Sequence, residues 1–179
     1  MLTNEELISH IRVIPDFPVK GIMFQDITTL LKDSKCLLEL SDRLYEQYKD
    51  KGITKVVGVE SRGYILGACL ALRLGVGFIT ARKAGKLPAA VISESYAKEY
   101  GKDAIEIHAD ALSPDDVVVI HDDLLATGGT TTAAYRLVKK FGVEDIHLSF
   151  LINLTDCPRI PEFPADAPLS SILDIIEHK

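Results

Sequence analysis

Apolar and polar positions along this chain follow two periods, and the switches between them mark its elements. From residue 33 to 48, Leu37, Leu40, Leu44 and Tyr48 recur three or four apart, which predicts a helix with one buried stripe. Near the start, Thr3 and Glu6 have the spacing of a capping box, and Leu7, Ile8 and Ile11 predict a short helix with one apolar face. Apolar, mostly β-branched runs at 55–59, 76–80, 117–120 and 146–152 read as strands of a buried sheet. Gly52, Gly75 and Gly142 precede three of these runs, each at the end of a helical pattern. Helix, glycine cap and apolar strand, repeated, predict βαβ units and a central, mostly parallel sheet flanked by helices. Right-handed crossovers then bring the strand carboxyl ends to one edge, where open α/β sheets bind ligands. With 179 residues and no interdomain linker, the chain reads as one domain spanning 1–179.

Three stretches break this rhythm. Residues 15–27 contain Pro15, Pro18 and Gly21, which exclude a regular helix, yet they are rich in apolar side chains. This segment is either a lid or a buried connection. After the strand at 76–80, Arg82, Lys83 and Lys86 sit beside Gly85 and Pro88 in a cationic segment, either a solvated loop or part of a ligand site. Alternation at 105–111 predicts an antiparallel strand returning from it, so about 82–108 reads as a flexible flap over the ligand edge. The tail at 156–168 is irregular and punctuated by prolines, and 171–176 predicts a last short strand.

The candidate chemistry gathers behind the strand at 117–120. Asp122 and Asp123 stand where that strand is expected to emerge at its carboxyl end, followed by Ala126-Thr127-Gly128-Gly129-Thr130 and a helical pattern. Backbone N–H groups of such a turn and first helical turn point at one place, and the helix dipole favours negative charge there. The glycines permit close approach to a phosphate, and the Thr127 and Thr130 hydroxyls add donors. There is no Gly-Lys-Ser/Thr of a Walker loop and no GxGxxG fingerprint. The acidic pair suggests a sugar phosphate instead, with the loop on phosphate and the carboxylates on ribose hydroxyls. The plainer alternative is a strand, an acidic turn and a glycine-rich helix start. A second strand-to-helix turn, Glu60-Ser61-Arg62-Gly63, offers either an ordinary connection or a second anion cradle on the same sheet edge. Two cradles suit a substrate with phosphate at one end and pyrophosphate at the other.

Charge sharpens this picture. The net charge of −6 argues against a nucleic-acid partner or an acidic membrane surface, so anion sites must be local. Cys36, Cys69 and Cys157 are far apart and odd in number, which indicates neither a disulfide framework nor a zinc site and suits a reducing cytoplasm. No basic-plus-apolar signal segment opens the sequence, and no apolar run is long enough to span a bilayer.

The stretch from Asp122 to Thr130 closely resembles the phosphoribosyl pyrophosphate (PRPP) signature of type I phosphoribosyltransferases. Further matches occur in the order found in the adenine phosphoribosyltransferases: Pro15-Asp-Phe-Pro, Gly21-Ile-Met-Phe-Gln-Asp-Ile, Glu60-Ser-Arg-Gly, Arg82-Lys-Ala-Gly-Lys-Leu-Pro and Tyr96-Ala-Lys-Glu-Tyr-Gly. The resemblance implies the type I fold, with an N-terminal hood at about 1–34 and the flap at about 82–108. It implies transfer of 5-phosphoribosyl from PRPP to adenine, giving AMP and pyrophosphate, in a Mg²⁺-dependent homodimer. Ala126, Thr127, Gly128, Gly129 and Thr130 would hold the 5′-phosphate, and Asp122 and Asp123 the ribose hydroxyls. Glu60, Ser61, Arg62 and Gly63 would form the pyrophosphate loop, where the family often has a cis peptide before the serine. Arg82 would reach pyrophosphate across a dimer interface, with Lys83 and Lys86 nearby. Phe24 and Leu124 would sandwich the purine, while main chain around Met23 and Gln25 reads its edge. Glu99 and Tyr100 would close over the reacting centre from the flap. Mg²⁺ would be held mainly by substrate oxygens and water, with Asp122 and Asp123 acting near it.

Three departures from the family pattern stand out. Gln25 replaces a usual arginine, His121 replaces an apolar residue, and the tail after Asn153 lacks the usual Leu-Lys-Gly-Arg. His121 reads as a packed histidine turned away from Asp122 by strand alternation. For the tail, altered C-terminal packing or dimer edges, with unchanged chemistry, are expected. One rival reading changes the base to a 6-oxopurine, for which no lysine follows the PRPP loop at an evident position. Another is a PRPP-sensing regulator, for which the chain carries no added DNA-binding segment.

Overall fold

In the computed structural model, which describes residues 1–97 and 102–176, two strands form a hairpin and seven form one sheet. Helix α1 (Asn4–Ser9) is closed by the Thr3–Glu6 capping box. Leu7 and Ile11 are buried, but Ile8 is 38% exposed, because the helix ends at Ser9 and position 8 falls outside the narrow stripe shared by 7 and 11.

Residues 12–26 are not a plain loop. Strands β1 (Arg12–Pro15) and β2 (Met23–Asp26) form an antiparallel hairpin. The prolines and glycine that exclude a helix fall at its end and in its connection, where Phe17–Pro18 is cis and Gly21 has φ +93°. Arg12 Nε donates to Asp26 Oδ2 at 3.0 Å, and the Thr28 N–H donates to Asp26 Oδ1 at 2.9 Å. The arginine contact, with help from the Thr28 N–H, holds the Asp26 carboxyl down at about 2. The hairpin is thereby tied to the single turn α2 (Thr28–Leu31). Helix α3 (Ser34–Tyr48) follows, capped by Asp33 and burying Cys36, Leu40, Leu44 and Tyr48.

The rest alternates strand and helix. Strand β3 (Lys55–Val59) leads into α4 (Gly63–Leu74) and β4 (Gly77–Lys83). Strands β5 (Val91–Ala97) and β6 (Lys102–His108) form an antiparallel pair that meets the end of β4 at Arg82 and Lys83. Strand β7 (Val117–Leu125), helix α5 (Gly129–Lys139), β8 (Asp145–Leu154) and β9 (Leu169–Ile175) complete the chain. The order across the sheet is β5-β6-β4-β3-β7-β8-β9, with β4, β3, β7, β8 and β9 mutually parallel. Gly52, Gly75 and Gly142 all adopt positive φ, as the helix-end reading required.

Two apolar cores cover the two sheet faces. Val56 and Val119 face α3, α4 and the N-terminal elements. Val57, Val59, Val118 and Ile120 face α5 and the flap strands. This follows from connectivity: β3 and β7 are neighbours, but their crossovers run in opposite directions, to β4 and to β8. Right-handed crossovers then place α4 and α5 on opposite faces. Leu40→Ala, which removes a fully buried side chain from the first core, should cost about 2–5 kcal/mol of stability, read by chemical denaturation.

Candidate active site

The boundary between β3 and β7 is the point where the winding reverses, and it opens at its carboxyl end. The β3–β7 ladder stops at Gly58 and His121, whereas β7 stays paired with β8 as far as Leu125 and Asn153. Asp122 and Asp123 therefore lie inside the strand, not beyond its end as expected. They occupy the stretch that β3 has left, so one side of the strand borders the crevice.

The two loops flanking this crevice lead into helices whose first turns are left open. Elsewhere, α1 and α3 are capped by the Thr3 and Asp33 side chains, and in the single turn α2, whose N-cap Ile27 gives no side-chain bond, the Thr28 N–H is taken by Asp26. Helices α4 and α5 start at Arg62 and Gly128 with no side-chain cap and no acidic residue in the first turn. In α4 the Tyr64 and Ile65 N–H groups donate to the Ser61 and Arg62 carbonyls at 3.2 and 3.3 Å, so the backbone it offers an anion is that of residues 61–63, whereas the first N–H groups of α5 have no carbonyl within the helix to bond. Gly128 sits at φ +83°, and a Cβ there would also run into the Phe163 ring. At Gly63 a Cβ would lie 2.6 Å from the His121 carbonyl oxygen, so α4 packs too close to β7 for any side chain. The Glu60–Ser61 peptide is cis, at the position the resemblance implied.

A cleft of about 630 Å³ follows the second loop, lined by Tyr96, Asp122, Leu124, Ile160 and residues 126–131. Side chains alternate along β7: Asp122 and Leu124 line this cleft, while Asp123 pairs with Arg62, whose Nε lies 2.8 Å from its Oδ2. Arg62 also stacks 5.0 Å from the Phe24 ring, which meets Phe17 edge-on at 5.1 Å. One guanidinium thus joins the hairpin, the Glu60–Gly63 loop and the acidic pair. Met23 and Gln25 point to the other face of β2, where they line an apolar groove with Ile8, Ile11 and Val13. Gln25 Nε2 donates to the Met23 carbonyl at 3.3 Å.

Glu60 organises the cationic end. Its carboxylate accepts from the Lys83 N–H at 2.8 Å and from Arg82 Nη2 at 3.3 Å, and these bonds hold its pKa below the usual range. Arg82 also donates to the Lys86 carbonyl, while the Lys83 and Lys86 residues themselves are exposed. Arg82 is therefore placed against its own chain's Glu60. Glu99 and Tyr100 lie outside the described residues. His121 is fully buried, contacts Ser149 Oγ at 3.0 Å through Nδ1, and burial lowers it to about 4. It is a neutral packed residue at physiological pH. Tyr96 opens a matched stretch but gains no role from the sequence, and Ile160 and Phe163 are site neighbours that no local motif signals.

Burial, reinforced by repulsion from Asp123, pushes Asp122 well above the ordinary 3.8. Asp123 is also raised by burial, and Arg62 partly offsets this. A carboxylate pair between two strand-to-helix turns at a winding reversal is the arrangement of an α/β protein with a ligand site at its sheet edge. The pattern described as a phosphoribosyl transferase domain matches residues 27–176. The adenine phosphoribosyltransferase of Phocaeicola vulgatus is 55% identical over 97% of this chain and 100% of its own length. That of Bacteroides thetaiotaomicron is 56% identical over 98% and 99%. The crystal structure of adenine phosphoribosyltransferase from Rhodothermus marinus superposes with a TM-score of 0.89 at 47% identity, covering 96% of this chain and 98% of that one. The chain belongs to the phosphoribosyltransferase family, among its adenine phosphoribosyltransferases.

The raised acidic pair carries a stability cost with a definite sign. A carboxyl whose folded pKa lies above its unfolded value favours the fold most below 3.8, and that advantage is lost as pH rises through the folded value. Asp122→Asn should therefore raise the thermal midpoint of the free protein at pH 7, flatten its decline above pH 4, and weaken PRPP use. Parallel melting curves from about pH 4 to 8 and PRPP saturation kinetics check both halves.

Proposed function

We propose that the crevice between β3 and β7 binds PRPP and adenine and joins them as AMP, releasing pyrophosphate, as expected of an adenine phosphoribosyltransferase. The observation that carries this reading is the pair of uncapped helix N-termini, α4 and α5, on either side of the Asp122–Asp123 stretch. The loop at 126–130 takes the 5′-phosphate, the acidic pair takes the ribose hydroxyls, and the loop at 60–63 takes pyrophosphate. Phe24 stacks on the purine from the hairpin, opposite Leu124, and main chain at Met23 and Gln25 reads the base edge. A yeast adenine phosphoribosyltransferase, 36% identical with a TM-score of 0.88 over 95% of this chain and 98% of that one, was crystallised with an iminoaltritol bisphosphate and adenine. A relative that takes adenine and a bisphosphate together supports a site for both on this fold.

Breaking the bond between C1 and pyrophosphate builds positive charge on the ribose, and adenine attacks from the opposite face. The leaving group needs donors that are already oriented, a role for the backbone at 61–63 ahead of α4 together with Arg62, Arg82, Lys83 and Lys86. The carboxylates of Asp122 and Asp123 lie where positive charge develops. The donor set here suits Mg²⁺: the ligand atoms that β7 brings are the carboxylate oxygens of Asp122 and Asp123, and Asp123 is already engaged by Arg62, leaving substrate oxygens and water as the main ligands. Bound there, Mg²⁺ would neutralise pyrophosphate charge. Glu99 and Tyr100, which lie outside the described residues, are assigned to excluding water from the ribose cation. A homodimer, in which Arg82 turns from Glu60 to a partner's pyrophosphate, completes the reading, with catalysis in the cytoplasm.

The test offers adenine, hypoxanthine, guanine and xanthine separately with PRPP and Mg²⁺, following nucleotide and pyrophosphate together. AMP and pyrophosphate in equal amounts from adenine alone, abolished by chelation, are expected. Turnover of another base overturns the pocket around Phe24. Absence of any turnover, with PRPP still bound, overturns the enzymatic reading.

A further inference from the structure

We propose that Arg159 and the Ile160 N–H, in the irregular tail, are positioning groups that set the orientation of the phosphate loop. The inference rests on the assignment of residues 126–130 to the 5′-phosphate. Between β8 and β9 the chain doubles back along this loop and bonds its carbonyls in succession. Arg159 Nη1 donates to the Ala126 carbonyl, and the Ile160 N–H donates to the Thr127 carbonyl at 2.9 Å. The next carbonyl, Gly128, is taken from the helix side, by the Thr132 N–H and the Thr132 hydroxyl, each at 2.8 Å.

Peptide planarity turns these bonds into a statement about the donors. In a trans peptide the C=O of one residue and the N–H of the next point in opposite directions. Fixing the Ala126 carbonyl on the tail therefore sends the Thr127 N–H away from the tail. Fixing the Thr127 carbonyl does the same for the Gly128 N–H. These two N–H groups join the open first turn of α5 above the cleft that residues 126–131 line. A peptide flip at either position would aim a carbonyl oxygen at the phosphate and repel it.

The brace is itself held. Arg159 Nη1 also donates to the Cys157 carbonyl at 2.9 Å, and Nη2 donates to Asn153 Oδ1. Asn153 Nδ2 donates to Asp174 Oδ1 on β9 at 2.9 Å, which links the arginine to the sheet. The Phe163 ring closes over Gly128 from the same tail. The segment that departs from the family pattern therefore touches the loop assigned to the phosphate. Arg159 reaches the loop backbone and acts on the phosphate only through it.

Calorimetric titration of ribose 5-phosphate and, separately, of pyrophosphate into wild type, Arg159→Ala and Arg159→Lys tests this. Arg159→Ala should weaken ribose 5-phosphate about tenfold, the scale of one net hydrogen bond, and leave pyrophosphate affinity unchanged. Arg159→Lys, which keeps the charge and a single donor group, should fall between the two and serves alone if the alanine variant does not fold. In steady state, KM for PRPP should rise while KM for adenine holds. Equal weakening of both ligands would mean a merely structural role and overturn the proposal, as would unchanged ribose 5-phosphate affinity in the variants. If wild type binds pyrophosphate but not ribose 5-phosphate, the phosphate assignment of the loop fails first, and the brace with it.

Discussion

Two neighbouring parallel strands whose crossovers run in opposite directions govern this molecule. Because β3 winds to β4 and β7 winds to β8, the helices that follow lie on opposite sheet faces and their N-termini flank one crevice. A chain with net charge −6 cannot attract a polyanion by its overall field. It must do so locally, with uncapped N–H groups and a few cations, and the reversal of winding places two such sets where one substrate can span them. The contrast with α1 and α3 is instructive. Those helices use Thr3 and Asp33 to satisfy their own ends, which lends stability but leaves nothing for a ligand.

The same crevice concentrates opposing costs. Asp122 and Asp123 are adjacent, poorly solvated and raised in pKa, so the free protein carries repulsion that a ribose or a cation would relieve. Arg62 is the principal counterweight. It faces Asp123, stacks on Phe24 and begins α4, so charge at the acidic pair, position of the base-stacking ring and order of the Glu60–Gly63 loop are coupled through one side chain. On the far side, the Arg159 tail keeps the second loop's carbonyls occupied.

Much of this was legible in the sequence because its cause is local. The Thr3–Glu6 box, the Asp33–Tyr48 helix, the three positive-φ glycines and the glycine-rich loop depend on residues a few positions apart. The resemblance added the cis peptide at Glu60–Ser61. What escaped depends on distant partners. The hairpin at 12–26 is fixed by Arg12 meeting Asp26, and strand β7 runs past the acidic pair because β8 continues beside it after β3 has stopped. Tyr96 and Ile160 reach the cleft, and Arg159 and Phe163 reach the loop beside it, through the fold, from segments whose composition reads as edge strand or loop.

The most direct test of the central claim is a crystal structure of the protein with AMP and pyrophosphate. The account predicts the AMP phosphate within about 2.7–3.2 Å of backbone N–H groups at 127–130, the ribose hydroxyls toward Asp122 and Asp123, adenine against Phe24, and pyrophosphate at 61–63. Phosphate density at the 61–63 loop for AMP, or AMP bound outside the β3–β7 crevice, would contradict it.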